Sequence, residues 1–445
     1  MSETTTPSPK RSFWERQQTT LKALVIGFLL MCLLIPQNMV SGLIYEREFF
    51  RNEAFSEVST KWSYPQTFSG PVLSVPYIEF YRETPQSEFR KLIKFAHFLP
   101  EDLVIKGEMF PERRYRGIYE VVVYNTKIHV EGFFDRFNVA SLGVPKENIL
   151  WDYASVSLGL DDLRGIEEQI ALDWNGAKIA FNPGLEHQDI CYNGISTKVP
   201  IRPYTDASLT RYSFTFDVQL KGSEWLHFIP IGKTTQVTLQ SKWTNPSFDG
   251  AFLPDERTVN TEGFTANWKV HHLNRSYPQS FLGNMNVRES AFGVNLKIPL
   301  DNYKQSHRAV KYAFILLTLT FALYFFIEIL NKKRIHAAHY LLVGFALCLF
   351  YTLLVSMSEH IAFSLSYFIA SVMTIGLITW YSHSILKAQK LSTLIGGTLT
   401  LLYAFIYVIV HLEDYALLVG SFGLFVALAI VMHYARRIEW YDVAN

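Results

Sequence analysis

The sequence predicts a membrane protein of six transmembrane α-helices that carries a large all-β extracytoplasmic domain, best drawn as an antiparallel β-sandwich. Three observations lead there. Six stretches of roughly 20 apolar residues are present, the length needed to cross a hydrocarbon core. Lys and Arg gather in alternate connecting segments. Between residues 45 and 308 apolar and polar side chains alternate with a period of two.

The composition agrees. Hydrophobic residues are 49% and charged residues 18%, below the ~25% of soluble domains. Lys plus Arg (41) and Asp plus Glu (40) nearly balance, so no basic excess points to nucleic acid.

Residues 1–20 read as a cytoplasmic tail with Lys10, Arg11 and Arg16. The first span is 21–44. Its basic flank and apolar start resemble a signal peptide, but no small-x-small site follows and apolar character resumes to Ile44. A retained anchor is expected, kinked or ended near its outer end by Pro36. The other spans are expected at 309–330, 337–357, 361–380, 391–411 and 415–434, which makes 309–434 a five-helix bundle and 435–445 a second tail.

Orientation follows from the short loops. The N-terminal tail, the loop with Lys332, Lys333 and Arg334, the loop with Lys387 and Lys390, and the tail with Arg436 and Arg437 are basic. The loops around Ser358–His360 and His411–Asp414 hold neither Lys nor Arg. Both termini are therefore expected in the cytoplasm, and 45–308 outside it, the periplasm of a Gram-negative cell. Tyr45, Trp380, Tyr381, Trp440 and Tyr441 fall at headgroup depth. Ala362, Ser366, Ala370 and Thr374, and then Gly423 and Ala427, form small-residue stripes expected to be packing seams.

In the outer domain, Tyr212, Phe214, Phe216, Val218 and Leu220 alternate with polar residues. So do Val237, Leu239 and Trp243; Phe264, Ala266, Trp268 and Val270; and Val294, Leu296 and Ile298. Each pattern fits a strand with one buried face. Asn175-Gly176 between two such runs signals a hairpin that pairs Leu172 with Ile179 and Asp173 with Lys178. Short helices are expected near 45–59 and 161–169. The Asp162-Leu163-Arg164-Gly165 run reads as a turn in which Asp and Arg hold nearby backbone.

Cys32 and Cys348 lie in apolar runs and Cys191 in the polar middle, which makes neither a disulfide framework nor a zinc pattern. The phosphate-binding Gly-rich loop, the His-Glu-x-x-His helix and the Gly-x-Ser-x-Gly elbow are missing from the sequence. No catalytic residue, metal ligand or cofactor is predicted, and the chain is expected to be non-enzymatic. Candidate functional residues come from the membrane segments. Glu328 is the one acid inside a predicted span, and it either pairs with Lys332 at the interface or serves a proton or ion. Glu359, His360, His411, Glu413 and Asp414 crowd the outer ends of the bundle, as topology-driven polar loops or as a proton or metal cluster.

The second and third spans read HRAVKYAFILLTLTFALYFFIEIL (307–330) and RIHAAHYLLVGFALCLFYTLLVSMSEH (334–360). The outer domain contributes GPVLSVP (70–76), RGIYE (116–120), DLRGI (162–166), WTNPSFDGAFLP (243–254) and GFTANW (263–268), and the tail RRIEWY (436–441). On these runs the chain resembles the CreD inner-membrane protein family over nearly its whole length. Ala337 after His336 departs from the Pro of that pattern. The resemblance implies a role in cell-envelope integrity, expression tied to a two-component regulator, and links to colicin and β-lactam tolerance. It implies no established reaction.

The expected function is a scaffold or sensor in the inner membrane, in contact with the lipid bilayer, whose outer domain binds an unknown periplasmic or membrane protein. A transporter or lipid-handling protein is the alternative. A YidC-like insertase or membrane chaperone is a second one, suggested by the same layout of one span, an outer β domain and five spans. The drawn spans two to six contain no Arg, which such a groove would require.

Overall fold

A computed structural model describes residues 18–83, 88–135, 137, 142–201, 211–296, 302–331, 333–412 and 415–436. The described chain forms two compact units. One joins the residues up to Phe50 to those from Asn302 onward; the other runs from Arg51 to Leu296.

The first unit is helical. Helix α1 is Gln18–Lys61, α2 Asn302–Lys311, α3 Ala313–Leu330, α4 Ala337–Ser358, α5 Phe363–Leu386, α6 Gln389–His411 and α7 Ala416–Ala435. With α2 and α3 counted together, six helices are long and apolar enough to cross a membrane. Ile26, Leu33, Val40 and Ile44 of α1 are buried at heptad-like spacing, while Phe28, Met31, Ile35 and Met39 on other faces are exposed. Gly344 of α4 makes room for this stripe, since a Cβ there would lie 2.2 Å from Leu33 Cδ1. The expected seam of α5 is buried at Ser366, Ala370 and Thr374, and exposed at Ala362. On α7, Gly423 receives the ring of Phe405, and Leu417, Phe422 and Phe425 are exposed, as a lipid-facing helix requires.

The helices depart from the predicted boundaries in three ways. Helix α1 neither ends at Pro36 nor stops at Ile44; it runs unbroken for 44 residues and includes the helix expected at 45–59. Proline weakens the helical bonding of the preceding turn, and there the Cys348 thiol stands 4.0 Å from the Leu33 carbonyl. The second span starts upstream, at Asn302, and is interrupted at Tyr312. Near 161–169 only a single 3-10 turn forms, over Leu163–Gly165.

The second unit is built of two sheets. Strands β1 Gln66–Tyr81, β2 Arg90–Phe98, β3 Asp102–Arg116 and β4 Tyr119–Phe134 open it. Then come β5 Ser155–Gly159, β6 Ala171–Trp174, β7 Ala177–Ala180, β8 Asn182–Pro183 and β9 Gly194–Lys198. Strands β10 Tyr212–Ser223, β11 Trp225–Phe228, β12 Thr234–Ser241 and β13 Pro246–Gly250 follow. The last are β14 Glu256–Asn260, β15 Gly263–His271, β16 Ser280–Leu282 and β17 Phe292–Leu296. One sheet has the order β13-β17-β11-β1-β5-β9-β8, with β2 between β1 and β16; the other is β14-β15-β12-β3-β4-β10-β6-β7. Pairing is antiparallel except for β1 with β11 and β3 with β12. The sheets share one core, crossed by Trp268 with Phe292 (5.6 Å) and Phe248 with Phe264 (5.5 Å).

The alternation read from the sequence sets the faces. Tyr212, Phe214, Phe216, Val218 and Leu220 are buried, as are Val237, Leu239, Phe264, Ala266, Trp268 and Val270. Leu172 pairs with Ile179 and Asp173 with Lys178, across Asn175 (φ 51°) and Gly176 (φ 86°).

Candidate functional site

Glu328 sits near the end of α3, 6% exposed. Its partner is Lys22 of α1, whose Nζ donates to Oε1 and also to the Ile335 carbonyl at 2.7 Å. Lys332, the expected partner, lies outside the described residues. The Ile335 amide donates to Oε1 at 3.0 Å and the Tyr340 hydroxyl to Oε2 at 3.0 Å. A carboxylate with an ammonium and two neutral donors is satisfied, and it clasps three helices together.

The other membrane candidates do not converge. Glu359 faces Arg47 Nε of α1 at 3.3 Å. His360 is exposed. His411 turns to Ser364 Oγ (3.2 Å) and the Tyr407 carbonyl (3.0 Å), and its ring packs at a tilt against that of Tyr407 at 4.2 Å. Glu413 and Asp414 lie outside the described residues. His336 caps α4 by accepting the Ala338 amide, and His339 bonds Tyr381 at 2.7 Å.

The β unit holds a denser cluster that the sequence reading passed over. Along β1, Leu73 and Val75 enter the core, so Ser74 stands on the opposite face. Residue for residue, Ser74 pairs with His97 on β2, where Ala96 and Phe98 likewise enter the core. The segment from Gly184 to Asn193 covers this face. Its ends are held by the Gly184 amide to the Gly194 carbonyl (3.0 Å) and the Leu160 amide to the Asn193 carbonyl (3.2 Å). Its middle is held by the Met285 amide on the Asp189 carbonyl at 3.1 Å.

This segment carries His187 and Asp189 onto the strands. Ser74 Oγ lies 3.0 Å from His97 Nδ1 and 2.8 Å from His187 Nε2. Asp189 Oδ2 lies 3.1 Å from His97 Nε2 and 3.8 Å from His187 Nδ1. Phe95 and Phe281 pack on the two rings at 4.7 and 5.1 Å. His97 is fully buried, His187 nearly so, and Asp189 keeps 29% of its side chain exposed. Burial, and for His97 the neighbouring His187, hold both imidazoles below their usual pKa; Asp189 opposes this in each case. Both rings are thus neutral near pH 7. Ser74 is enclosed and shared by two imidazoles, so its oxygen has no open path to a substrate.

Beside this cluster, Ser69, Val72, Ser157, Gly159 and Cys191 line a small cavity with room for about one water. The Cys191 thiol is unpaired and burial raises its pKa, which makes it a poor nucleophile. The only sequence trace of the cluster is the His187-x-Asp189 spacing. Its partners on β1 and β2 lie 113 and 92 residues away.

Comparison with known proteins gives two findings. The family model described as inner membrane protein CreD matches residues 18–441. The inner membrane protein CreD of Escherichia coli (strain K12) is 33% identical over 418 residues, covering 92% of this chain and 91% of that protein.

Proposed function

From the premise that this chain belongs to the CreD family of inner membrane proteins, we propose that it is a non-enzymatic scaffold or sensor supporting cell-envelope integrity under stress. In this reading the β unit lies in the periplasm, binds a protein partner there, and both termini are cytoplasmic. The observation that carries the reading is a large two-sheet domain inserted in the chain between the first span and five further spans, where a chain that only needed an anchor would require one span.

The membrane unit supports an anchoring or relaying role. Glu328 is neutralised by Lys22 and its oxygens are occupied, which leaves this carboxylate little capacity to carry an ion. Buried tyrosines rather than charges fill the bundle core, with Phe350 and Tyr403 4.6 Å apart and the Tyr367 hydroxyl on the Tyr403 carbonyl.

Photo-crosslinking in living cells tests the reading. Leu273 (85% exposed), Tyr192 (79%) and Leu253 (66%) are apolar or aromatic side chains open on the β unit, so a photoreactive residue there meets whatever docks. The expected result is a saturable adduct with one envelope protein from at least one position. Only diffuse, unsaturable capture from all three positions in a correctly inserted chain would overturn it.

A further inference from the structure

We propose that His97, His187 and Asp189 bind a divalent transition metal of the zinc type, with Ser74 orienting the two imidazoles from beneath. Among the described residues these three bring their donor atoms within 4.8 Å of one another. The His97 Nε2 to Asp189 Oδ2 distance is 3.1 Å and the His187 Nδ1 to Asp189 Oδ2 distance 3.8 Å. A tetrahedral zinc ion with bonds of ~2.0–2.2 Å separates its ligand atoms by roughly 3.3–3.5 Å. The two distances to Asp189 bracket that spacing, and the ion would draw the two imidazole nitrogens, which lie within 4.8 Å of each other, to the same separation.

The tautomers suit the ion. The Asp189 amide donates to His187 Nδ1 at 3.3 Å, so that nitrogen carries a lone pair and Nε2 carries the hydrogen. His187 Nε2–H then donates to Ser74 Oγ. Metal binding gives His97 the matching form: its proton moves from Nε2, where it faces Asp189, to Nδ1, where it faces Ser74. Ser74 Oγ has two lone pairs and accepts from both rings. This is the outer-shell arrangement that fixes metal-ligating histidines. The weak Asp189 amide contact gives way to the ion.

The donor set selects the kind of ion. Two imidazoles and one carboxylate suit zinc, cobalt or nickel over magnesium or calcium. His97 stands on a strand paired on both edges, to Ser74 of β1 and to Phe281 of β16. Asp189 keeps 29% of its side chain exposed, which is the side from which water would reach a fourth position on the ion. The ion would fasten the Gly184–Asn193 segment to β2, two elements otherwise joined near Asp189 by hydrogen bonds.

The test uses the full-length protein in detergent micelles, stripped with a chelator and free of any polyhistidine tag. Titration with Co(II) should show one ion per chain with the visible bands of a low-coordinate site, and zinc should displace it. Asp189→Asn and His187→Gln should each weaken binding by more than the ~10–100-fold expected for Ser74→Ala, an outer-shell change. Cys191→Ser should leave affinity unchanged. Stoichiometric binding at wild-type affinity in Asp189→Asn, or in a folded His187→Gln, would place the ion elsewhere and overturn the proposal. So would failure of the folded wild type to bind at micromolar metal. Asp189 is partly exposed, so Asp189→Asn keeps the test decisive even if His187→Gln unfolds.

Discussion

Asp162 ties the end of α1 to the turn that follows β5. Its Oδ2 accepts the Tyr64 amide at 3.0 Å and Arg164 Nη2 at 2.8 Å, and its Oδ1 accepts Arg164 Nε at 2.9 Å. Arg164 Nη1 in turn donates to the Thr60 carbonyl at 2.7 Å. The sequence reading of this run, a turn whose Asp and Arg hold nearby backbone, matches these bonds. Gly165 is needed for a different reason than turn geometry, because a Cβ there would stand 2.5 Å from the Lys221 carbonyl. Burial alone would raise the Asp162 carboxyl, yet the Arg164 guanidinium and the Tyr64 and Arg164 amides outweigh it and hold the pKa below its usual value. A depressed folded-state pKa means that the unfolded chain takes up protons first. The stability from Asp162 is therefore present above pH ~4 and is lost as pH falls below that toward the folded-state value. Asp162→Ala should cost about 1–2 kcal/mol at neutral pH, since it strands the part-buried Tyr64 and Arg164 amides, and should flatten the acid limb of stability. Thermal melts of wild type and variant between pH 3 and pH 7 check both. A variant that melts like the wild type at pH 7 would remove Asp162 from this role.

Helix ends and helix partners were harder to read than helix cores. The six apolar stretches mark the membrane helices because a single continuous segment satisfies its own backbone hydrogen bonds in lipid only as a helix. The stretch 45–61 is polar, and nothing in hydropathy distinguishes a continued α1 from a loop and a new helix. Glu328 shows the same limit. A Lys four residues on is the natural partner by spacing, but the fold supplies Lys22, 306 residues away in sequence. Glu328→Ala should leave Lys22 without its carboxylate, at a cost of about 2 kcal/mol, discounted because the Lys22 side chain is 31% exposed. Lys22→Met with Glu328→Leu should recover most of that loss, because an apolar pair leaves no stranded charge. Denaturant unfolding in micelles measures both, and a double variant weaker than the single would refute the pairing.

For the whole molecule, charge bias predicts a topology that labelling can check. With Cys32, Cys191 and Cys348 replaced by Ser, a cysteine at Lys333 or Lys387 should react with a membrane-impermeant maleimide only after the inner membrane is opened. A cysteine at His360 or Leu273 should react in cells whose outer membrane alone is permeable. The reverse pattern would invert the proposed orientation. Period-two patterning marked the buried faces of β10, β12 and β15 and the β6–β7 hairpin, because each is a local consequence of a sheet with one wet face. It did not record the parallel pairings of β1 with β11 and β3 with β12, which depend on strands brought together across long connections. The family likeness was also legible, since the motifs of α4 and the outer strands stand in the sequence as they are. By itself, then, the sequence determined the spans and the strand faces, both set by solvent preference over short windows, and the family, carried by its motifs. Only the tertiary structure decided where polar groups meet. Lys22 with Glu328, and Ser74 and His97 with His187 and Asp189, are joined by topology, and a buried polar atom takes its partner from whatever backbone the fold delivers to it.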